Sequence, residues 1–556
     1  YDILIVRESL EISDDRAECI QNIGEKFVAE YFDRDEVPQL SIKTYGYSVI
    51  PKCFGLLDTL ALETTGILQL QNQPALSLRG QGIFIGFVDT GISYELPCFR
   101  NADGSTRIRS IWDQSIPAGE KNTPQGFLYG TEYTQKEINE ALEQEHPREL
   151  VPVTDEDGHG TMLASIACGS EDLQAGFTGA APYAELLVVK LKPAKPYLKD
   201  FFYIPQEMPA YQENDIMLAA NYLRNLRIKY DMPVVIVLGI GTGSGDRAGG
   251  SPLAQYLNEL GQYIGHCVVV CSGNEGNERL HYSGALNDGK NDEVEIRVGE
   301  NDKGFVLELW GNTPDLFSVS FVSPLGETVE RIPARKDVSK KVNFLLEDTT
   351  IEVDYSLVEA GGGRELIFMR FIKPTPGLWT IRVYGSNIVN GRFNIWANIR
   401  KFVNAETYFL KPNPDITLTI PSDAQNVINV SGYDNFTEAI YPNSGRGFTN
   451  DNNIKPDVAA PAVNVYGADI GRSAELSGGF IRKNGTSIAA ALAGGCCAQM
   501  LQWGFVNGND IYMKGTYIKS YLIRGAQRNR NITYPNVQWG YGKLDVFNSF
   551  LILTRT

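Results

Sequence analysis

The chain has 556 residues, of which 43% are hydrophobic and 21% charged, and its formal net charge is −17. A single hydrophobic core rarely grows beyond about 250–300 residues, so this length predicts more than one domain. The acidic excess argues against a nucleic-acid partner. A membrane span is not expected either, because no run of about 18 apolar residues occurs.

The N-terminal residues Tyr1–Val6 lack the basic and apolar regions of a secretory signal. We therefore expect a cytoplasmic protein, although upstream residues and another export route stay open because the chain does not begin with Met.

The eight cysteines form no CxxC pair, so no zinc site and no required cofactor are predicted. Structural calcium stays open, without a loop that has the spacing of an oxygen cage. The acidic segment Thr154–Asp157 predicts a solvated loop.

Short apolar runs bounded by turns predict buried parallel strands. They lie in residues 80–92, Ala184–Lys190, Pro233–Leu238 and Cys267–Cys271, with helical stretches at Asp215–Arg227 and Leu253–Ile264. This alternation predicts an α/β fold with a parallel sheet and function at the carboxyl ends of its strands. The pattern covers residues 59–288 and returns in 406–556, which suggests one domain in two parts.

The pattern changes between the two parts, in residues 289–405. Alternating segments such as Phe305–Trp310 and Phe317–Val322 are separated by turn signals. Many short strands at such spacing predict an inserted antiparallel β-sandwich. Residues 1–58 read as a small α+β module, with a strand at Asp2–Val6, a helix over Asp14–Tyr31 and an extended Leu40–Val49.

Four residues together suggest nucleophilic catalysis, which needs a nucleophile, a base, an acid that orients the base, and oxyanion donors. Asp89 ends a predicted strand, His159 and Ser487 stand at predicted helix starts, and Asn274 follows another strand. Each has an ordinary alternative: a turn aspartate, a surface or capping histidine, an N-cap serine and a turn asparagine. Their chain order and their places at strand ends and helix starts favour the catalytic interpretation.

These motifs resemble those of the subtilase family, peptidase family S8. The matching segments are Asp89–Ile92 (DTGI), Asp157–Thr161 (DGHGT), Ser272–Gly276 (SGNEG), Lys455–Pro461 (KPDVAAP) and Gly485–Ser487 (GTS). The β insertion, Gly126–Thr134 and Trp539–Gly542 resemble the Csp-type subtilases of clostridia and related gut bacteria. This resemblance implies a subtilisin-like fold with a jelly-roll-like insertion and an N-terminal prodomain, here residues 1–58. It also implies a serine endopeptidase, in some relatives one that acts in spore germination, and so a spore-associated location.

By the resemblance, Asp89, His159 and Ser487 form the triad, Asn274 stabilises the oxyanion, and a protein or peptide and the chain's own prodomain are the partners. Gly239, Ile240, Gly241, Ser272 and Gly273 are predicted to bind substrate. Two departures occur: Ser487 is followed by Ile-Ala-Ala-Ala-Leu instead of Met-Ala-Ser-Pro-His, and Gly239–Gly241 replaces Ser-Leu-Gly. The alternative function is an inactive scaffold with a binding or signalling role, which retention of the triad disfavours.

Overall fold

A computed structural model describes residues 1–6, 19–24, 26–32, 40–56, 65–74, 76–119, 123–336, 339–470 and 479–553, with only the backbone of 54–56. In the N-terminal region the elements are β1 (Asp2–Val6), β2 (Ile20–Ile23), β3 (Phe27–Tyr31), α1 (Ile42–Tyr45), β4 (Cys53–Leu56) and α2 (Ile67–Asn72). Strands β1, β3 and β2 form a small antiparallel sheet in that order.

The first part of the α/β unit follows. Its strands are β5 (Phe84–Asp89), β6 (Ile108–Asp113), β7 (Thr131–Thr134), β8 (Glu185–Lys190), β9 (Tyr211–Gln212), β10 (Val234–Leu238), β11 (Ile240–Gly241) and β12 (His266–Cys271). Its helices are α3 (Gln135–Leu142), α4 (His159–Cys168), α5 (Pro196–Phe201), α6 (Glu213–Tyr230) and α7 (Pro252–Leu260). Every residue of β5, β10 and β12 is buried, as expected of strands covered by helices on both faces.

An antiparallel unit is inserted after β12. Its strands are β13 (His281–Ala285), β14 (Asn291–Val298), β15 (Gly304–Gly311), β16 (Leu316–Val322), β17 (Ser339–Asn343), β18 (Thr350–Ser356), β19 (Glu365–Ile372), β20 (Gly377–Ser386), β21 (Arg392–Ala397) and β22 (Tyr408–Phe409). They form two sheets, in the orders β13-β21-β15-β19-β18-β17 and β16-β20-β14-β22. From the third residue of β20, buried and partly exposed residues alternate, the period that places one sheet face on a core.

The second part of the α/β unit completes the large sheet. Its elements are β23 (Ile428–Tyr433), β24 (Val458–Pro461), β25 (Val465–Ala468), β26 (Phe480–Lys483), α8 (Thr486–Leu501), α9 (Gly515–Gly525) and α10 (Val546–Leu553). Among the described residues this sheet has eight strands in the order β24-β23-β12-β10-β5-β8-β6-β7, parallel except for β7. The predicted α/β fold is therefore confirmed.

Helix α8 continues into a π-helical turn, so that residues 486–506 are long and apolar enough to cross a membrane by length and composition. In this fold, 89% of that apolar window is buried inside the protein. The segment packs against β10, β12, β23 and β24 and belongs to the core between the sheet and α4. It is therefore the central core helix of the α/β unit.

Two predictions for the N-terminal region are wrong. Ile20–Ile23 and Phe27–Tyr31 form strands β2 and β3 rather than the end of a helix, because β3 pairs with β1 across more than 20 residues of chain and β2 pairs with β3; residues 14–18 lie outside the described part. The segment 40–49 contains α1, whose first turn is capped by Ser41, since the Thr44 N–H donates to the Ser41 hydroxyl at 3.2 Å. Neither a strand whose partner is remote in sequence nor a helix of a single turn produces a strong local pattern of hydrophobic residues, so the sequence did not predict them.

Candidate active site

Asp89, His159 and Ser487 form one hydrogen-bonded chain. The His159 Nδ1 lies 2.7 Å from Asp89 Oδ1, and its Nε2 lies 3.1 Å from Ser487 Oγ. All three side chains are at most 3% exposed. With the proton on Nδ1 held by the carboxylate, Nε2 is the nitrogen that can accept the serine proton.

The fold sets this geometry through the ends of three elements. Asp89 is the last residue of β5, His159 the first residue of α4, and Ser487 the second residue of α8. Helix α4 approaches the end of β5 closely at Gly160, where a side chain would collide with the Gly91 carbonyl oxygen. The Gly160 N–H instead donates to the Thr90 hydroxyl at 2.9 Å, so the glycine that follows the histidine sets its distance from Asp89.

Asp155 was missed by the prediction of a solvated loop, which is wrong for this residue. It is 4% exposed and caps α4. Its Oδ1 accepts from the Gly158 N–H at 2.9 Å, and its Oδ2 accepts from the N–H and hydroxyl of Thr161 at 2.8 and 2.6 Å. A carboxylate three residues before Gly158, the N-cap of α4, is the sequence signal that could have identified this cap.

Asn274 lies in the loop after β12 and faces the start of α8. Its Oδ1 accepts hydrogen bonds from the Thr486 N–H at 3.2 Å and the Thr486 hydroxyl at 3.3 Å. Because the amide oxygen is engaged in this way, the two N–H groups of the amide are directed away from Thr486. Together with the Ser487 N–H at the first turn of α8, they can donate to an oxyanion.

The predicted substrate-binding residues lie along two chain segments at the same edge of the sheet. Gly239 follows β10 and borders the triad: a side chain there would lie 3.0 Å from His159 Cε1 and 3.2 Å from Asp89 Oδ2. Ile240 and Gly241 form β11, and Ser272 and Gly273 follow β12. The structure therefore brings all nine predicted site residues to one region.

Burial shifts the pKa values of ionisable side chains close to Asn274. It raises the pKa of the Glu275 carboxyl, next to Asn274, to about 7, and that of the Cys271 thiol to about 12. Farther from the triad, burial lowers the pKa of His266, at the amino end of β12, and of His281, on β13, to about 4, so both are neutral near pH 7. Among the described residues, no group of three or more His, Cys, Asp or Glu side chains could hold a metal ion.

A parallel α/β sheet with an Asp–His–Ser chain at its carboxyl edge defines the class of serine hydrolases with a catalytic triad. The model of the subtilase family (Peptidase_S8) matches residues 80–302 and 393–542 of this chain. The chain therefore belongs to the subtilase family. Subtilases are serine endopeptidases, so the predicted family and enzyme class are confirmed.

Similar proteins include both solved and curated subtilases. The structure of the Clostridium perfringens CspB protease is 30% identical, covers 88% of this chain and 97% of its own, and superposes with a TM-score of 0.78. The subtilisin-like proteases SBT2.2 and SBT1.9 of Arabidopsis thaliana are 31% identical over 128 residues and 29% over 126, which are 20% and 21% of this chain. These matches span only 15% and 17% of the two plant proteins. The resemblance to Csp-type subtilases is confirmed.

Asp155→Asn should destabilise the protein by about 1–2 kcal/mol, because an amide offers one acceptor oxygen where three donors need two. Urea unfolding of both proteins measures the difference. Asp157→Asn is the matched control, since Asp157 is exposed in the same loop. Equal midpoints for Asp155→Asn and the parent protein would show that the cap does not stabilise α4.

Proposed function

We propose that this protein is an endopeptidase that hydrolyses a protein substrate through Asp89, His159 and Ser487. The observation that carries the proposal is the hydrogen-bonded chain from Asp89 through His159 to Ser487. Ser487 Oγ attacks the substrate carbonyl carbon while His159 Nε2 takes the hydroxyl proton and then gives it to the leaving amine. Water hydrolyses the resulting acyl-enzyme by the same proton route.

Asn274 and the Ser487 N–H stabilise the negative charge that develops on the substrate oxygen. Both donors are fixed before substrate arrives, one by Thr486 and the other by the first turn of α8. Removing one such donor typically costs about 10²–10³ in kcat. Glu275 is the nearest carboxyl along the chain, and its raised pKa keeps it largely neutral below about pH 7, which limits repulsion of the oxyanion.

The cleft also contains a strand of the protein's own N-terminal region. Strand β4 pairs antiparallel with β11 on one side, with Leu56 opposite Ile240, and with β9 on the other, with Cys53 opposite Gln212. An extended substrate would use the same main-chain groups. Leu56 is the last described residue of this strand, and its partner Ile240 directly follows Gly239, which borders the triad. We infer that residues 1–58 are a prodomain that occupies the cleft as a substrate does.

The β insertion supports this arrangement by holding the N-terminal region. Glu308, on β15, accepts at Oε2 from the Tyr47 hydroxyl at 2.7 Å, the Gly245 N–H at 2.8 Å and the Trp310 indole N–H at 3.0 Å. One buried carboxylate thus joins the N-terminal region, the α/β unit and the insertion. Apolar residues of the three parts share one core around it. We propose that the insertion stabilises the bound prodomain.

Ser487→Ala should lower turnover of a casein substrate by about 10⁴-fold or more, because the nucleophile is lost while the fold remains. Release of labelled peptides measures the rate, and circular dichroism confirms folding. The control is Ser431→Ala, since Ser431 is also fully buried but donates to the Gln538 carbonyl, away from the triad. Parent-like turnover in Ser487→Ala would refute the assignment.

The pairing of β4 also predicts self-processing between Leu56 and Thr65. The parent protein should yield two fragments, and the larger should begin after Leu56 and no later than Thr65. Both fragments should elute together on size exclusion, because the contacts through Tyr47 and Glu308 outlast the cut. Intact-mass analysis and N-terminal sequencing test this. An uncut parent protein, or a cut in Ser487→Ala at the parent's rate, would contradict it.

We extend the proposal to a biological role: activation of a proenzyme during spore germination, inside a bacterial cell or spore. The likeness to the CspB protease over 88% of this chain supports this extension. Spores that carry Ser487→Ala should retain one unprocessed protein that parent spores cleave on germination. Comparison of protein termini by mass spectrometry would detect it, and identical termini in both spores would contradict the role.

A further inference from the structure

A polar cleft of about 270 Å³ lies where the β insertion meets the second part of the α/β unit. Strands β13 and β21 line one side of it, and Ile416 and the loop at residues 450–452 line the other. None of the described residues that line it belongs to the triad, the oxyanion donors or the predicted substrate-binding residues. Its lining carries one cation, Arg392, and five side-chain amides, those of Asn312, Asn390, Asn394, Asn450 and Asn452.

The floor and the rim of this cleft are held in place by hydrogen bonds. At the floor, the Oδ1 of buried Asn394 lies 2.9 Å from His281 Nε2, and its Nδ2 donates to Asn450 Oδ1 at 2.9 Å. At the rim, the buried carboxylate of Asp315 accepts from the three main-chain N–H groups of residues 389–391. The site is therefore preorganised, and a ligand binds it without the entropic cost of ordering these segments.

Strand β13, which lines the cleft, is an edge strand of its sheet among the described residues. Hydrogen bonds between antiparallel strands fall on alternate residues. Leu280 and Leu286 flank β13 and use the side toward β21, because the Leu280 carbonyl accepts from β21 at 3.0 Å and the Leu286 N–H donates at 2.9 Å to the residue before it. The N–H and C=O groups of Ser283 and Ala285 therefore point away from β21, and they have no hydrogen-bond partner in the described part of the chain.

The open part of this edge is short. His281 is the previous residue of β13 that faces outward, and its carbonyl already accepts from the Asn413 N–H at 2.8 Å. A partner chain that paired with Ser283 and Ala285 would therefore have to end or turn away at Asn413. The terminus of an extended chain fits such an edge, since it can add as a short strand through main-chain hydrogen bonds alone.

The charge of the cleft favours a carboxyl terminus. The Arg392 side chain is exposed and forms no hydrogen bond or salt bridge with a described residue, and no carboxylate occurs among the described residues that line the cleft. Ala285 lies opposite Arg392 in the strand register and has only a methyl group, so the guanidinium can reach across it to the open edge. A guanidinium binds a carboxylate through two parallel hydrogen bonds, and side-chain amides offer donors and acceptors to peptide groups.

We propose that this cleft binds the carboxyl-terminal end of an extended partner protein. The last residues of the partner pair with Ser283 and Ala285 as an added strand, and the terminal carboxylate binds Arg392. The amides around the cleft hydrogen-bond the remaining peptide groups. Because the site uses no catalytic residue, it is independent of the proposed function.

The test uses immobilised Ser487→Ala protein, so that peptides are not cut, and two peptide pools randomised at their last four positions. One pool ends in a free carboxylate and the other in an amide, and mass spectrometry measures how much of each is retained. The carboxylate pool should be retained about tenfold more, and adding Arg392→Gln should abolish this preference. Ser283→Pro should weaken binding of the carboxylate pool about tenfold, because it removes an outward N–H at an edge position that tolerates proline.

Arg297→Gln is the control for loss of an exposed arginine in the insertion, since Arg297 lies on β14 in the other sheet. It should leave the preference unchanged. Equal retention of the two pools by the Ser487→Ala protein would overturn the proposal. A preference that persists in Arg392→Gln would also overturn it and would place the peptides elsewhere, as in the catalytic cleft. If Ser283→Pro fails to fold by circular dichroism, Arg392→Gln and Arg297→Gln still decide the matter.

Discussion

The active site depends on the contact of three chain segments at the carboxyl edge of one parallel sheet. His159 is 70 residues from Asp89 and 328 residues from Ser487, yet both hydrogen bonds are formed. The sheet achieves this because β5 ends at Asp89 while α4 and α8 pack together against its face and begin at that edge. The chain between them can therefore include a whole β-sandwich without disturbing the triad.

How much the sequence predicts depends on whether the signal is local. Asp89, His159, Asn274 and Ser487 each stand at the end of an apolar run or the start of a helix, so their strands and helices could be recognised. Asp155 was missed because its hydrogen bonds depend on how the loop folds back onto α4. The strands β2 and β3 were missed because their sheet depends on the pairing of β3 with β1, which is remote in sequence.

The packing of Thr419 shows the same limit. Residues 417–420 read as an ordinary Thr-Leu-Thr-Ile run, and the sequence gives no sign that one hydroxyl lies between Gly241 and Gly273. Gly241 and Gly273 lie in different segments, and a Cβ at either position would collide with the Thr419 side chain. One side chain therefore explains why both positions are glycine. The catalytic groups could be predicted from motifs, whereas this contact depends on how three chain segments pack together.

The N-terminal region and the insertion are both joined to the α/β unit beside the proposed substrate cleft. Strand β4 pairs with the main-chain groups of β11, and Glu308 links the region that carries β4 to the insertion and the α/β unit. Breaking the three hydrogen bonds to this buried carboxylate is costly, because the donors and the carboxylate would be left without partners. We therefore expect residues 1–58 to stay bound to the rest of the protein after the chain is cut between them.

The most direct measurement of the central claim is the site and rate of labelling by a fluorophosphonate. The folded protein, freed from residues 1–58 after self-processing, should gain one phosphonyl group, mapped by mass spectrometry to Ser487, and His159→Ala should label far more slowly because the base is lost. No adduct on Ser487 in folded protein, or labelling of His159→Ala at the parent's rate, would contradict the triad and favour an inactive scaffold.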